Sequence, residues 1–181
     1  MTHSIRQLRA GDEASYRAIR LEALTNHPEA FVASAEGFLQ KTDAELTETL
    51  ESLSVFAAET DTGSLGGIAA FYQAEGRKEQ HRGWLIQVYV RPEHRGSGMA
   101  ETLINTVVEY AQTRVIQLHL GVWSENEPAL KLYKRLGFTV YGTEPRYLYV
   151  NGRFIDEHLM VRFLDNHPAS PQRTSESDKD E

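Results

Sequence analysis

The sequence contains no cysteine. Disulfides, thiolate metal sites and a cysteine nucleophile are therefore excluded, and the composition fits a reducing cytoplasm. No apolar run approaches the roughly 20 residues that a membrane-spanning helix needs, and the opening MTHSIRQLRAGDE lacks the apolar core of a secretory signal. We therefore expect a cytoplasmic protein that does not enter a membrane.

Positive charge is also in short supply, with 19 Lys and Arg against 26 Asp and Glu and a net charge of −7. Because nucleic-acid phosphates favour a basic face, this balance argues against nucleic-acid binding. The 181 residues, 40% of them hydrophobic, suffice for one domain with a sizeable core. From Asn166 the sequence NHPASPQRTSESDKDE has no large apolar side chain. We predict a domain over residues 1–165 and a disordered polar tail over residues 166–181.

The body of the chain alternates between strand and helix patterns. Apolar alternation or continuous apolar runs predict strands at Ser4–Arg9, Val55–Thr60, Leu65–Tyr72, Gly83–Val90, Val115–Trp123, Thr139–Val150 and Arg153–Phe163. Helical spacing and capping predict helices at Asp12–Thr25, from Thr42 onward, at Ser97–Thr113 and at Glu127–Leu136, with an irregular or broken helical segment at Asn26–Lys41. Asn151-Gly152 indicates a hairpin between the last two strands. The pattern is typical of an α/β (α+β) domain with a central, partly antiparallel sheet.

The stretch VYVRPEHRGSGMA, residues 88–100, places two glycines directly before a predicted helix. It is not a P-loop, because no lysine follows Gly98, and Glu101 stands where a dinucleotide fingerprint needs glycine or alanine. The unpaired N–H groups at a helix start, with Gly96 and Gly98 lacking Cβ, can nevertheless bind an anion such as a pyrophosphate. The residues alone leave open a glycine-rich turn that binds nothing.

Two segments together resemble a known family. Arg95-x-x-Gly98-x-Ala100 resembles the R/Q-x-x-G-x-G/A signature of the GCN5-related N-acetyltransferases (GNAT), and Asn126–Phe138, NEPALKLYKRLGF, resembles the family's N-x-x-A-x-x-L-Y-x-x-x-G-F run. The resemblance covers roughly residues 4 to 164. It implies an acyltransferase with the GNAT fold, a mixed and mostly antiparallel sheet of about seven strands flanked by about four helices.

The resemblance also implies acetyl-CoA as co-substrate, without a metal, and a set of binding residues. Backbone groups of Val88, Tyr89 and Val90 would bind the pantetheine arm. The pyrophosphate would lie on Arg95, Gly96, Ser97, Gly98, Met99 and Ala100. Asn126 would hydrogen-bond near the pantetheine, and Tyr133 would lie beside the thioester sulfur as the general acid. The seven-residue spacing of Asn126 and Tyr133 places both on one helix face. From spacing alone, Tyr133 could equally be a half-buried core tyrosine.

The general base is left open. Gln87 stands where many relatives have glutamate, and a neutral amide cannot accept a proton at neutral pH. His119, Glu125 or another carboxylate could act through water. We expect substrate contacts from the HPEAF segment at residues 27–31, Phe31 above all, and from Gln87 and Tyr147. Asp156 and Glu157 are also candidates, although adjacent strand residues point to opposite faces, so at most one would face the substrate.

The sequence therefore predicts an N-acetyltransferase that moves an acetyl group to a primary amine of a small molecule or amino-acid derivative by direct attack. Two alternatives stay open: acetylation of a protein N-terminus or lysine, and a non-catalytic CoA-binding sensor. The resemblance also allows a homodimer, an assembly frequent in the family.

Overall fold

The structure, a computed structural model, describes residues 4–165. Its strands are β1 Ser4–Gln7, β2 Ser54–Glu59, β3 Leu65–Gln73, β4 Arg82–Val90, β5 Gln117–Trp123, β6 Thr139–Val150 and β7 Arg153–Phe163. Its α-helices are α1 Glu13–Asn26, α2 Ala35–Leu39, α3 Asp43–Ser52, α4 Met99–Gln112 and α5 Glu127–Arg135, and single 3-10 turns cover Pro28–Ala30 and Pro92–His94. The tail predicted over residues 166–181 lies outside the described residues.

The strands form one sheet in the order β1-β2-β3-β4-β5-β7-β6. Neighbouring strands are antiparallel except β4 and β5, which run parallel. The predicted mixed, mostly antiparallel sheet is confirmed. The predicted hairpin is confirmed as well: Asn151 and Gly152 both have positive φ, 50° and 78°, as a two-residue turn of this kind requires.

Helices cover both faces of the sheet. On one face, α1, α2 and α3 bury apolar side chains such as Ile19, Phe38 and Leu46 against the sheet, and we call this the α1 core. On the other face, α4 and α5 pack with Leu103 and Leu120 in the α4 core. The cores contain side chains from both faces of β4, so this central strand is covered on both sides.

Two predicted boundaries shift by two residues, namely the start of α4 and the start of β5. The helix begins at Met99 rather than Ser97, because Gly98 has φ +85° and is the non-helical residue before the first turn. At the other end, Val115 N–H donates to the Ala111 carbonyl at 2.9 Å. Val115 therefore extends the last turn of α4, and β5 begins only at Gln117.

The helix capping predicted at Thr42 is present in full. The Thr42 hydroxyl accepts a hydrogen bond from Glu45 N–H, and the Glu45 carboxylate accepts one from Thr42 N–H. This exchange satisfies two amide groups that the helix itself leaves unpaired. None of the helices within residues 4–165 combines the length and apolar character needed to cross a membrane.

Candidate active site

The sheet opens between its two parallel strands. β4 and β5 pair over only three residues, from Arg82↔Gln117 to Trp84↔His119. Both strands continue beyond this point, so the edge of β4 that faces β5 carries no strand after Trp84. The N–H and C=O groups of such an edge can bind an extended ligand as they would an added strand.

A β-bulge lies in β4 beside this opening. Gln87 and Val88 together face a single β3 residue, Ala69. Gln87 has φ +57°, a conformation that costs an L-residue about 1–2 kcal/mol. Its Oε1 accepts a hydrogen bond from the Tyr16 hydroxyl at 2.8 Å, so its side chain points to the α1 core. Bulges of this kind re-aim backbone groups and are frequent next to active sites.

The loop that follows β4 carries both glycines of the predicted phosphate site. Gly96 and Gly98 have φ of +73° and +85°. A Cβ on either residue would meet no protein atom within 4 Å, so the space above both is open. Glycine is needed here for the backbone conformation, and it leaves the first N–H groups of α4 accessible to an anion.

A groove of about 430 Å³ runs along this loop, and we call it the α4 groove. Its lining residues are Val90, His94, Arg95, Gly96, Gly98, Met99, Ala100, Glu101, Leu132 and Arg135. Six of them belong to the predicted acetyl-CoA set. Arg135 of α5 pairs with Glu101 of α4 at 2.5 Å, so the two helices form facing walls.

Arg95, which lines the α4 groove, forms a hydrogen bond to His27 at the end of α1, on the other face of the sheet. Its Nε donates to the Val90 carbonyl at 3.1 Å, and its Nη2 donates to His27 Nε2 at 3.0 Å. Because arginine can only donate, His27 Nε2 is the acceptor and Nδ1 carries the proton. That Nδ1 faces the Glu29 carboxylate at 3.4 Å. A polar chain thus connects the loop to the 3-10 turn Pro28–Ala30.

Two residues of the predicted acetyl-CoA set, Tyr89 and Met99, have side chains that are buried in the two cores. The Tyr89 side chain lies in the α1 core, and its hydroxyl donates to Glu22 at 2.9 Å. The Met99 side chain is buried in the α4 core. The Ser97 hydroxyl donates to the His94 carbonyl at 2.6 Å. The residues of this segment therefore suit recognition by main-chain groups more than by side chains.

Tyr133 is held in place by the end of its helix. Phe138 N–H donates to the Tyr133 carbonyl at 3.0 Å and Gly137 N–H to the Lys134 carbonyl at 3.1 Å. With Gly137 at φ +85°, these two bonds form a Schellman motif. The accompanying apolar contact joins the rings of Tyr133 and Phe138, with centroids 6.0 Å apart. The helix ending thus fixes the tyrosine within the α4 core.

The Tyr133 hydroxyl is available to a ligand. The side chain is only 7% exposed, and within residues 4–165 its hydroxyl has no hydrogen-bond partner. Burial raises the pKa of this hydroxyl, so it remains a proton donor at neutral pH. Two turns earlier, Asn126 caps α5 by accepting from Ala129 N–H at 3.3 Å. Its side-chain N–H groups make no hydrogen bond to the described residues.

A second, smaller cavity of about 30 Å³ lies beneath the 3-10 turn Pro28–Ala30, and we call it the acidic cavity. Its lining residues are Glu29, Ala30, Val32, Trp123, Tyr147, Leu148, Ile155 and Glu157. It lies on the face of β5 opposite the α4 core, because Trp123 follows Val122, which packs in that core. Of the predicted substrate residues, Tyr147 lines this cavity.

Tyr147 reaches the cavity because β6 is irregular. Between Glu144 and Leu148, β6 contains two more residues than the paired part of β7. Arg146 takes φ +56° in this bulge, and its N–H donates to the Asp156 carboxylate at 2.8 Å. Asp156 therefore holds the outer side of the bulge and is exposed, while Tyr147 lines the cavity.

Phe31 and Gln87 do not line the acidic cavity. The Phe31 ring packs on the α1 core and lies 4.5 Å from the Arg20 guanidinium carbon, whereas its neighbours Ala30 and Val32 line the cavity. Arg20 is 6% exposed, and its Nη1 has no hydrogen-bond partner among the described residues. Both predicted side chains thus belong to the α1 core.

Glu157 is the half-buried acid of the cavity. It faces Trp123 across β5 and Glu144 across β6. A Cβ on Gly121 would overlap its carboxyl group, so this glycine makes room for it. Within residues 4–165 the carboxylate forms no hydrogen bond or ion pair. Burial, and to a lesser degree Glu144, raises the pKa of Glu157 to about 7.

The two named alternatives for a base are less suited to that role. His119 is 6% exposed, and burial together with Arg82 lowers its pKa to about 4. Glu125 is exposed and pairs with Arg153. Trp123 is absent from the sequence prediction, Glu29 enters it only as part of the HPEAF segment, and Glu157 enters it only as half of an acidic pair. No His, Asp and Glu side chains of residues 4–165 gather in threes or more to hold a metal ion.

The sequence was compared with known proteins. Residues 15–138 match the family model described as the Acetyltransferase (GNAT) family. The chain is 39% identical over 83 residues to a spermidine N(1)-acetyltransferase of Vibrio cholerae, covering 44% of this chain and 47% of that protein. It is 34% identical over 70 residues to the L-amino acid N-acetyltransferase AaaT of Escherichia coli, covering 38% and 43%. The chain spans about half the length of the curated relatives it matches.

Solved structures show the same fold over almost their full length. A GNAT-family acetyltransferase from Streptococcus pneumoniae superposes with a TM-score of 0.79 at 23% identity, covering 90% of this chain and 99% of that one. The Salmonella typhimurium protein yncA, solved with its cofactor acetyl-CoA, has a TM-score of 0.78 at 25% identity, covering 95% and 99%.

Proposed function

Because the chain belongs to the acetyltransferase (GNAT) family, whose model matches residues 15–138, we propose that it is an acetyl-CoA-dependent N-acetyltransferase. Its acceptor is the primary amine of a small molecule or amino-acid derivative. The observation that carries this proposal is the open edge of β4, which leads directly into the α4 groove. A long, extended thioester such as acetyl-CoA can be bound by successive backbone N–H and C=O groups along this edge and the loop that follows it.

The donor is held mainly by backbone. The free edge at Val88–Val90 pairs with the amides of the pantetheine arm, and the loop at Gly96 and Gly98 binds the pyrophosphate. The open space above both glycines supports this, since any Cβ would fill it. Asn126, with unused N–H donors, hydrogen-bonds the arm near the thioester.

Tyr133 is the general acid of the proposed reaction. When the amine attacks the thioester carbonyl carbon, the C–N bond forms, the C–S bond breaks, and the departing sulfur needs a proton. The buried hydroxyl is protonated at neutral pH and has no competing partner among the described residues. Positioned proton donors contribute rate factors of about 10²–10⁴.

The dimensions of the acidic cavity support a small acceptor. About 30 Å³ holds the ammonium end of an amine but no folded peptide. The 3-10 turn covers it by contacting β5 and β6. Relatives named for spermidine and for L-amino acids are consistent with an acceptor of this size.

Release of free CoA tests the proposal. The protein is incubated with acetyl-CoA and, in separate reactions, with spermidine, a set of L-amino acids, and peptides with a free N-terminus or lysine. We expect amine-dependent thiol release with a small amine and an acetylated product one acetyl group heavier by mass spectrometry. Preference for the peptides would favour the protein-directed enzyme. Calorimetric binding of acetyl-CoA without turnover on any amine would favour the sensor and refute the proposal.

A further inference from the structure

Acetyl transfer requires that the attacking nitrogen lose its proton, and the bulge in β4 offers no base. Gln87 has a neutral amide that is bonded to the Tyr16 hydroxyl. The acidic cavity on the same face of the sheet contains a carboxylate without a partner among the described residues. The following inference rests on the proposed function and assigns a further catalytic residue to it.

We propose that the Glu157 carboxylate takes the proton from the acceptor, and that the acceptor is an amine that enters the acidic cavity as an ammonium ion.

The position of the cavity fits this role. β4 and β5 separate after Trp84 and His119, and on this face of β5 the next residues are Gly121 and Trp123. Gly121 lies directly against the Glu157 carboxyl. Glu157 therefore lies on the β5 side of the same opening in which the β4 edge binds the thioester.

The 3-10 turn brings the two sites together. It contacts β5 and β6 over the acidic cavity, and Glu29 lines that cavity. The same turn is linked through His27 to Arg95, in the loop between β4 and α4. A molecule in the acidic cavity is thus enclosed by elements that also position the α4 groove.

The groups around Glu157 favour a cation. Across β6 lie Glu144, Tyr141 and Tyr147, and the carboxyl of Glu29 comes from the 3-10 turn. From β5 only Gly121 and Trp123 approach, and neither titrates. Arg153 lies 5.8 Å from the Trp123 ring and is paired with Glu125. Two carboxylates and two aromatic rings lining one cavity suit an ammonium ion.

The proton transfers balance. The ammonium ion gives one proton to the Glu157 carboxylate and becomes a free amine. The amine forms the C–N bond to the acetyl carbon as the C–S bond breaks, and Tyr133 protonates the sulfur. After the C–N bond forms, the nitrogen loses its second proton to solvent, and solvent returns a proton to the Tyr133 phenolate. Glu157 also releases its proton to solvent. The products are an amide, free CoA and one proton.

A carboxyl that titrates near neutral pH is suited to this exchange. Burial raises the pKa of Glu157 to about 7, so it is a stronger base than an ordinary glutamate while still partly ionised at neutral pH. Below this pKa the carboxyl is protonated and cannot accept, so activity should fall toward acid pH.

The pH profile of kcat/KM for the best amine of the panel tests the proposal. Wild type should show an acid limb with a midpoint near the Glu157 pKa of about 7. Glu157→Gln should lose this limb and lower kcat about 10²-fold at neutral pH. The variant should recover part of its rate only at high pH, where the amine is unprotonated without help.

Glu125→Gln is the matched control, since it removes an exposed carboxylate near the same end of β5 and should leave the acid limb in place. Glu144→Gln removes a neighbouring negative charge and should move the limb to lower pH. Acetyl-CoA affinity by calorimetry should be the same in all variants, which shows that the donor site is intact.

Thermal unfolding gives a readout that does not depend on activity. A buried carboxyl with a raised pKa stabilises the fold while protonated, and this contribution is lost as pH rises from its unfolded pKa through about 7. Glu157→Gln should therefore have a higher Tm than wild type at pH 8, and this difference should nearly vanish at pH 4, below the unfolded pKa of 4.5.

An active wild type whose acid limb persists in Glu157→Gln, or disappears in Glu125→Gln, would overturn the role of Glu157 alone. An equal Tm difference at both pH values would also count against it. A wild type that acetylates no amine would overturn the proposed function itself, and with it this inference.

Discussion

The α4 groove and the acidic cavity lie at one opening of the sheet but are built from different material. The groove is made largely of main chain: an unpaired strand edge, two glycines with positive φ and the first turn of a helix. The cavity is made of side chains from four separate places, with Glu29 and Glu157 as its charged groups.

This difference matches the chemistry of the two proposed substrates. The proposed donor, acetyl-CoA, would be held by main-chain groups, and main-chain recognition tolerates changes of side chain. The acceptor differs between relatives, so its site depends on side chains that can be exchanged without altering the fold. The predictions below test this division, beginning with the largest effect.

Tyr133→Phe removes only the hydroxyl oxygen of the proposed general acid. We expect kcat to fall by about 10²-fold or more, because the departing sulfur loses its proton donor. Acetyl-CoA affinity should change less than threefold, since the ring still fills the α4 core. Single-turnover kinetics and calorimetry measure the two quantities. Tyr110→Phe, a change in the same core whose hydroxyl bonds to Ser54 at 2.8 Å, should retain full kcat. An unchanged kcat in Tyr133→Phe would remove its role as acid.

Gly98→Val tests whether the groove is a main-chain site. A β-branched residue at φ +85° is strained by about 1–2 kcal/mol, and its side chain occupies the pyrophosphate space. We expect the Kd for acetyl-CoA to rise roughly 30-fold or more, about 2 kcal/mol, because the side chain blocks the pyrophosphate. The backbone strain is present in the free and the bound protein alike, so it should lower the stability of the fold and not the affinity. The KM for the amine should change little.

Gly63→Val is the matched control for that substitution. Gly63 has φ +78° and open space around it, but it lies in the turn between β2 and β3. It should lose similar stability in thermal unfolding while retaining wild-type affinity for acetyl-CoA. If both variants lose affinity equally, the effect of Gly98→Val comes from the fold and not from the groove.

Glu29→Gln tests the acidic cavity and should have the smallest effect. The amide retains an oxygen that can accept from His27 Nδ1, so only charge is removed. We expect the KM of a cationic amine to rise about threefold, the range of a partly exposed charge interaction of about 0.7 kcal/mol, with the Kd for acetyl-CoA unchanged. A steady-state KM equal to wild type would show that Glu29 does not contact the acceptor.

The difference between a main-chain groove and a side-chain cavity also explains which parts of the site the sequence could predict. The proposed donor residues lie in two continuous segments, so a comparison of short motifs was enough to predict them. The strands and helices around these segments are confirmed. The φ of +57° at Gln87 was not predictable, because no glycine marks the bulge. Tertiary contacts such as the Tyr16 hydrogen bond hold this conformation.

The acidic cavity combines residues that are far apart in the sequence, such as Glu29 and Glu157. Its composition depends on the register that places Trp123 opposite Glu157 and on two extra residues in β6. A register shift of one residue would turn Glu157 to the other face. Local patterns do not specify pairings between distant strands, so Trp123 was missed, and Glu29 was included only as part of the HPEAF segment. Pro145 was the one local signal of the β6 bulge, since proline in a sheet favours edges and bulges.

The gap between β4 and β5 also bears on the stability of the whole molecule. A sheet that separates after three paired residues lacks part of its hydrogen bonding until a ligand supplies it. With acetyl-CoA at 100 times its Kd, the folded state would gain about 2.7 kcal/mol. In a cell the donor would then act as a removable strand of the sheet, and the lifetime of the protein would depend on the supply of acetyl-CoA.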